Sequence, residues 1–167
     1  QAIGKQLKTF FIDDGLMRLN EGPTVISKLR EQGIQIDLVD SADYFFGRLK
    51  GITDPEKKRM AFRDAFYTTF GNLVKKSGAN FLLQGTIKAD IEETKGGVKT
   101  QHNVLEQIGV NPKKYGFEVL EPLKTLYKPA VRKVCKELGL SKYFWNRQPF
   151  PGPGLATRCV GEVTPER

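Results

Sequence analysis

Apolar residues concentrate in four short β-rich runs along this chain, and each run ends in a cluster of polar or turn-forming residues. Leu7 to Ile12 ends in Asp13-Asp14-Gly15, and Ile34 to Val39 ends in Asp40-Ser41. Asn80 to Leu83 ends in Gln84-Gly85-Thr86, and Phe117 to Leu120 ends in Glu121-Pro122. Such runs predict β-strands. Helical patterns lie between them. Val25, Ile26 and Leu29 share one face of residues 22 to 32, with Gly33 as a natural stop. Thr53 or Asp54 can cap a helix that Pro55 and Glu56 open. Phe62, Phe66, Phe70 and Leu73 then line one side, and Lys75, Lys76 and Gly78 close it. A third helix is predicted over 129 to 138, with Val131, Val134, Cys135 and Leu138 facing inward and Gly139 ending it.

Strands alternating with helices predict an α/β fold: an open, mainly parallel twisted sheet with helices on both faces. Ligands of such sheets bind at the carboxyl ends of the strands, where this chain places its polar clusters. A nucleotide crevice is the expectation. Gln1-Ala2-Ile3-Gly4 reads as the tail of a helix, and Gly161-Glu162-Val163-Thr164 reads as the entry to a further element. The expected object is therefore one piece of a larger assembly.

Residues 147 to 155, Arg-Gln-Pro-Phe-Pro-Gly-Pro-Gly-Leu, can be neither a helix interior nor a central strand. Pro149, Pro151 and Pro153 fix φ and remove three backbone donors, while Gly152 and Gly154 let the chain turn and let a ligand approach. The prediction is a stiff, bent hook flanked by Arg147 and Arg158.

The 167 residues suffice for one domain with a real core. A net charge of +8 suits an anionic partner, but the basic residues, Lys57, Lys58 and Arg59 among them, are spread along the chain. Solvated helix faces account for most of them, so the charge alone does not select nucleic acid. There is no apolar run of membrane-spanning length and no signal-peptide pattern at the start, and the two cysteines make no framework. A cytoplasmic, reducing setting is expected.

Chemistry is concentrated in two further segments. If the chain turns helical after Thr86, Asp90 and Glu93 fall three apart on one face, where they could hold Mg²⁺ on a triphosphate or act as acid and base. Gly96-Gly97 then opens a predicted loop carrying Lys99, Thr100, His102 and Asn103, a set suited to a lid over a charged substrate. His102 is the sole histidine, which excludes a multi-histidine metal site, and no metal ligand set is assigned.

Over essentially its whole length the chain resembles the ATP-pyrophosphatase domain of GMP synthetase. The resemblance rests on Phe11-Ile12-Asp13-Asp14-Gly15-Leu16-Met17-Arg18, on Asp54-Pro55-Glu56-Lys57-Lys58-Arg59, and on Leu83-Gln84-Gly85-Thr86-Ile87 with Asp90 and Glu93. Val98-Lys99-Thr100-Gln101-His102-Asn103, Glu121-Pro122-Leu123 and Pro149-Phe150-Pro151-Gly152-Pro153-Gly154-Leu155 complete it. It implies a partial domain of the adenine nucleotide alpha-hydrolase type over residues 1–167, with 155–167 leading toward a dimerisation domain. It also implies use of ATP and Mg²⁺ to adenylate xanthosine monophosphate, followed by amination to GMP. Ammonia would come from a glutaminase domain or subunit, and the whole protein would be a homodimer.

Residue by residue, the resemblance puts ATP near Asp13, Gly15, Leu16, Gln84, Gly85 and Thr86. It gives the substrate to Arg59, Asn103, Pro151 and Gly152, and the catalytic and lid roles to Asp90, Glu93, Lys99, Thr100 and His102. The chain departs from the family at Gln101 and Gln148, where histidines are usual, and at Lys88-Ala89. The family's Ser-Gly-Gly-x-Asp-Ser loop would precede residue 1, so the 167 residues alone are expected to make no GMP. Two other readings stand beside this one: a tRNA-modifying enzyme of the same superfamily, and a non-catalytic nucleotide-binding module.

Overall fold

The structure, a computed structural model, describes residues 3–95, 117–148, 150 and 152–166. The chain divides into two compact units, residues 1–70 with 150–167 and residues 71–149.

In the first unit, β1 (Phe10–Asp13) pairs in parallel with β2 (Asp37–Asp40), in register from Phe10 against Asp37 to Asp13 against Asp40. Bonds from the Asp37 N–H to the Thr9 carbonyl and from the Ser41 N–H to the Asp13 carbonyl extend the ladder at each end. Both strands start three residues later than the apolar runs suggest and reach their terminal aspartates, because partners exist only over that stretch. Between them α1 (Glu21–Glu31) buries Val25 and Ile26, as its periodicity predicts. It ends as expected at Gly33, whose φ of +75° lets Gly33 and Ile34 donate back to Arg30 and Leu29, satisfying carbonyls the helix leaves over.

α2 (Ala42–Leu49) has no counterpart among the predicted elements; it fully buries Phe45 and Leu49. The Phe45 ring packs 4.9 Å from that of Phe62 on α3 (Pro55–Ser77). The start of α3 is capped by Asp54 rather than Thr53, its Oδ1 accepting the Lys57 N–H at 2.8 Å. Phe62 is buried, while Phe66, Phe70 and Leu73 of the predicted aromatic line are half-buried.

In the second unit, β3 (Phe81–Leu83) and β4 (Glu118–Leu120) form a second parallel pair. α4 (Lys88–Lys95) follows β3, and α5 (Lys128–Glu137) and α6 (Lys142–Trp145) follow β4. The α5 face read as inward is not buried: Val134 and Leu138 are exposed, Leu138 by 70%, and Cys135 is half-buried. Periodicity gives a helix its apolar stripe but not the neighbour that covers it, and α6 is the element that lies against α5.

Parallel strands with intervening helices are present as the alternation predicts. Among the described residues, however, they form two two-stranded sheets, where one open sheet is expected from the sequence. No helix there is long and apolar enough to cross a membrane.

Candidate functional site

In the first unit two of the sequence motifs are built onto each other. At the exit of β1, Asp13 Oδ1 accepts the Gly15 N–H at 3.0 Å and Asp14 Oδ1 accepts the Leu16 N–H at 2.8 Å. Two successive aspartate side chains thus fold the backbone into a tight turn. Gly15 is obligatory there: its φ is +74°, and a Cβ would stand 2.7 Å from the Phe46 ring. The hook is seated on this turn. The Leu155 N–H donates to the Leu16 carbonyl at 3.0 Å. Gly154, at φ +57°, passes so close that a Cβ would meet the Leu16 oxygen at 2.4 Å. Nearby, the Arg18 guanidinium lies 4.6 Å from the centre of the Phe150 ring and 3.6 Å from Glu21.

Asp14 is 3% exposed, and burial, with Asp13 beside it, raises its pKa from 3.8 to about 6. It falls outside the residues assigned from sequence, yet it keeps step with Ile12 and Leu16, both buried, at the strand's period of two. Arg59 lies half-buried on α3 and pairs with Glu56 three residues earlier. Gly152 is exposed in the hook. Lys58 departs from the solvated helix face that its charge suggests: it is 1% exposed, its ammonium donating to the Cys159 carbonyl at 2.6 Å. Its position four before Phe62 and seven before Ala65 is the signal in the sequence that places it inward.

In the second unit the Gln84-Gly85-Thr86 segment leaves β3, with the Gln84 N–H still paired to the Leu120 carbonyl at 2.9 Å. The Gln84 side chain is 8% exposed, and neither its Oε1 nor its Nε2 has a hydrogen-bond partner. Thr86 is wholly buried and donates to Glu121 Oε1 at 2.6 Å, joining the ends of β3 and β4. Gly85 is exposed, and a Cβ on it would meet nothing within 4 Å.

The turn then becomes α4, as its acidic pattern predicts. Asp90 reaches back to accept the Ile87 N–H at 2.9 Å, so one of its oxygens caps the helix, and Glu93 follows one turn on, half-buried. Tyr127 adds an unpredicted tie: its hydroxyl donates to both oxygens of Glu92, and its ring lies 4.9 Å from the Lys88 ammonium.

Asp13, Gly15, Leu16 and the hook therefore share one site in the first unit. Gln84, Gly85, Thr86 and Asp90 share one in the second, with Glu93 on the same helix. Lys99, Thr100, His102, Asn103 and Pro151 lie outside the described residues. Among those described, no three His, Cys, Asp or Glu side chains form a group that could hold a metal by themselves.

No model of a protein family matches the chain. Individual proteins do. Along its full length it is 46% identical to a subunit of glutamine-hydrolyzing GMP synthase from Sulfurisphaera tokodaii, covering 45% of that protein. It is 45% identical to the same GMP synthase subunit from Pyrococcus furiosus and from Thermococcus kodakarensis, covering 52% and 53% of them. The chain spans about half the length of the curated relatives it matches.

Proposed function

We infer that this chain, whose homologues over its whole length are subunits of glutamine-hydrolyzing GMP synthases, is the ATP-pyrophosphatase part of such an enzyme. On this reading the fold is of the adenine nucleotide alpha-hydrolase type, to which parallel strands with intervening helices belong. The O2 oxygen of xanthosine monophosphate attacks the α-phosphorus of ATP and expels pyrophosphate. Ammonia then adds at C2, AMP departs carrying that oxygen, and loss of a proton leaves GMP. Activation converts a poor leaving group into a good one, so the protein's task is chiefly positioning and charge neutralisation.

The observation that carries the reading is Gln84. A buried amide without partners costs about 1–3 kcal/mol for each unmade bond, so such a group calls for an ordered water, a ligand or a functional role to answer it. Gln84 offers a free donor and a free acceptor at a strand's carboxyl end, next to the start of α4. A nucleotide, which carries both kinds of group, answers that chemistry.

Asp90 and Glu93 are hard oxygen donors on one helical face and fit Mg²⁺, which takes one or two carboxylates and completes its shell with water and phosphate oxygens. Such an ion would neutralise triphosphate charge. Asp13 to Leu16 supply a fixed turn for the adenosine and Arg59 a guanidinium for the phosphate of xanthosine monophosphate, with Gly152 and Pro151 assigned to the same substrate. Lys99, Thr100, His102 and Asn103 are assigned to the lid and substrate. Ammonia would be delivered by a glutamine-hydrolysing partner, and the complete protein would work as a cytoplasmic homodimer.

The test is Asp90→Asn in the full-length enzyme. Asparagine keeps an acceptor for the Ile87 N–H and so keeps the helix start, but it loses the charge. Pyrophosphate release from ATP and xanthosine monophosphate should fall by about 10²–10³-fold. Unchanged release would remove Asp90 from the mechanism.

A further inference from the structure

Lys58 carries a charge into the core with no role in the reaction as described. Its side chain is 1% exposed, in line along α3 with the buried Phe62 and Ala65. An ammonium is costly to bury unless its protons find acceptors, and a methionine of similar shape would pack there at less cost. What the charge provides is a strong, short bond to the Cys159 carbonyl at 2.6 Å, a residue 101 positions away.

Cys159 ends the turn that continues directly from the hook. The Ala156 N–H donates to Pro153, and the Arg158 and Cys159 N–H groups both donate to the Leu155 carbonyl. At the hook end of this segment the Leu155 N–H is held by Leu16, and at its far end Glu162 Oε1 accepts the Gly51 N–H at 2.7 Å. Residues 154–162 are thus pinned at three places, to the β1 turn, to α3 and to the connection between α2 and α3. The middle pin comes from the residue next to Arg59.

We infer that Lys58 is a positioning residue: through the Cys159 carbonyl it keeps the hook seated on the Asp13–Leu16 turn and fixes it relative to Arg59. The consequence for substrate rests on the reading above, in which the hook and Arg59 serve xanthosine monophosphate; the seating itself does not.

The experiment compares Lys58→Met, Lys58→Arg and the exposed-neighbour control Lys57→Met in the full-length protein by amide hydrogen exchange and by nucleotide titration. In Lys58→Met the amides of Leu155, Arg158 and Cys159 should exchange about tenfold faster or more, while those of α1 and of β1 and β2 keep their rates. Lys58→Arg, which retains a charged donor, should restore protection, and Lys57→Met should match the wild type. The dissociation constant for xanthosine monophosphate should rise by about tenfold in Lys58→Met and recover in Lys58→Arg, with that for ATP unmoved. Should the methionine variant fail to fold, Lys58→Gln, whose shorter and neutral amide cannot make the charged bond, should show the same faster exchange at Leu155, Arg158 and Cys159. Unchanged exchange at 155–159 would overturn the inference, and so would a uniform loss across the whole first unit, which would make Lys58 an ordinary core residue. A wild-type protein that binds no xanthosine monophosphate would defeat the functional reading, while the exchange pattern still decides the role of Lys58.

Discussion

At the scale of single residues, Asp14 shows what burial costs a carboxylate. Its raised pKa means that between about pH 4 and about pH 6 the folded state holds a proton that the unfolded chain has released. Stability contributed at this residue is therefore greatest below that window and falls as pH rises through it. Moving from 3.8 to about 6 sets an upper bound of roughly 3 kcal/mol on the loss. Asp14→Asn keeps an acceptor for the Leu16 N–H and removes the penalty. Urea denaturation should find the variant more stable than the wild type at pH 7.5, with the difference shrinking to about half at pH 5. Asp14 and Lys58 were both legible in the sequence, since each keeps phase with buried apolar neighbours. Charge obscured them: an aspartate or lysine is solvated far more often than not, so residue type outweighed position. The partners themselves, Leu16 for Asp14 but Cys159 for Lys58, differ in kind. Local spacing reveals the first, and only the folded chain reveals the second.

Among the elements, the existence and order of four strands and three of the helices could be read from periodicity, and Gly33, Gly78 and Gly139 mark helix ends through their positive φ values. The misses have separate causes. Strand limits depend on where a partner runs alongside, which no single strand encodes. α2 is short, and its two fully buried residues, Phe45 and Leu49, are too few to set a period that stands out in the sequence. α5 carries a well-formed stripe whose Val134 and Leu138 stay exposed. The link between elements that matters most for the second site is Thr86 with Glu121. Replacing Thr86 with valine keeps the volume but removes the hydroxyl, leaving Glu121 without its donor. A loss of about 1–3 kcal/mol is expected in chemical denaturation. If the tie also orders the start of α4, pyrophosphate release should fall in the same variant; a stability loss with full activity would confine Thr86 to the scaffold.

For the molecule as a whole, the charge of +8 comes from basic residues spread along the sequence rather than gathered in one run. Binding to tRNA should therefore be weak and should collapse between roughly 50 and 200 mM salt, as measured by filter retention. Tight binding that survives the higher salt would favour the tRNA-modifying alternative. The family resemblance was readable because the motifs lie in short, contiguous runs, whereas the pins that seat the hook join residues more than a hundred positions apart. That separation also bears on how the protein is born. The first unit is interrupted by the 79 residues of the second, 71–149. A ribosome adding 5–20 residues per second needs about 4–16 s to make that insert. Throughout that time the nascent β1 turn lacks the segment that caps it, because Gly154 and Leu155 have yet to leave the exit tunnel. The inserted unit thus has its opportunity to fold first, and premature release would leave the part of the first unit before residue 71 without the segment that seats on its β1 turn, a natural mark for chaperones and proteases.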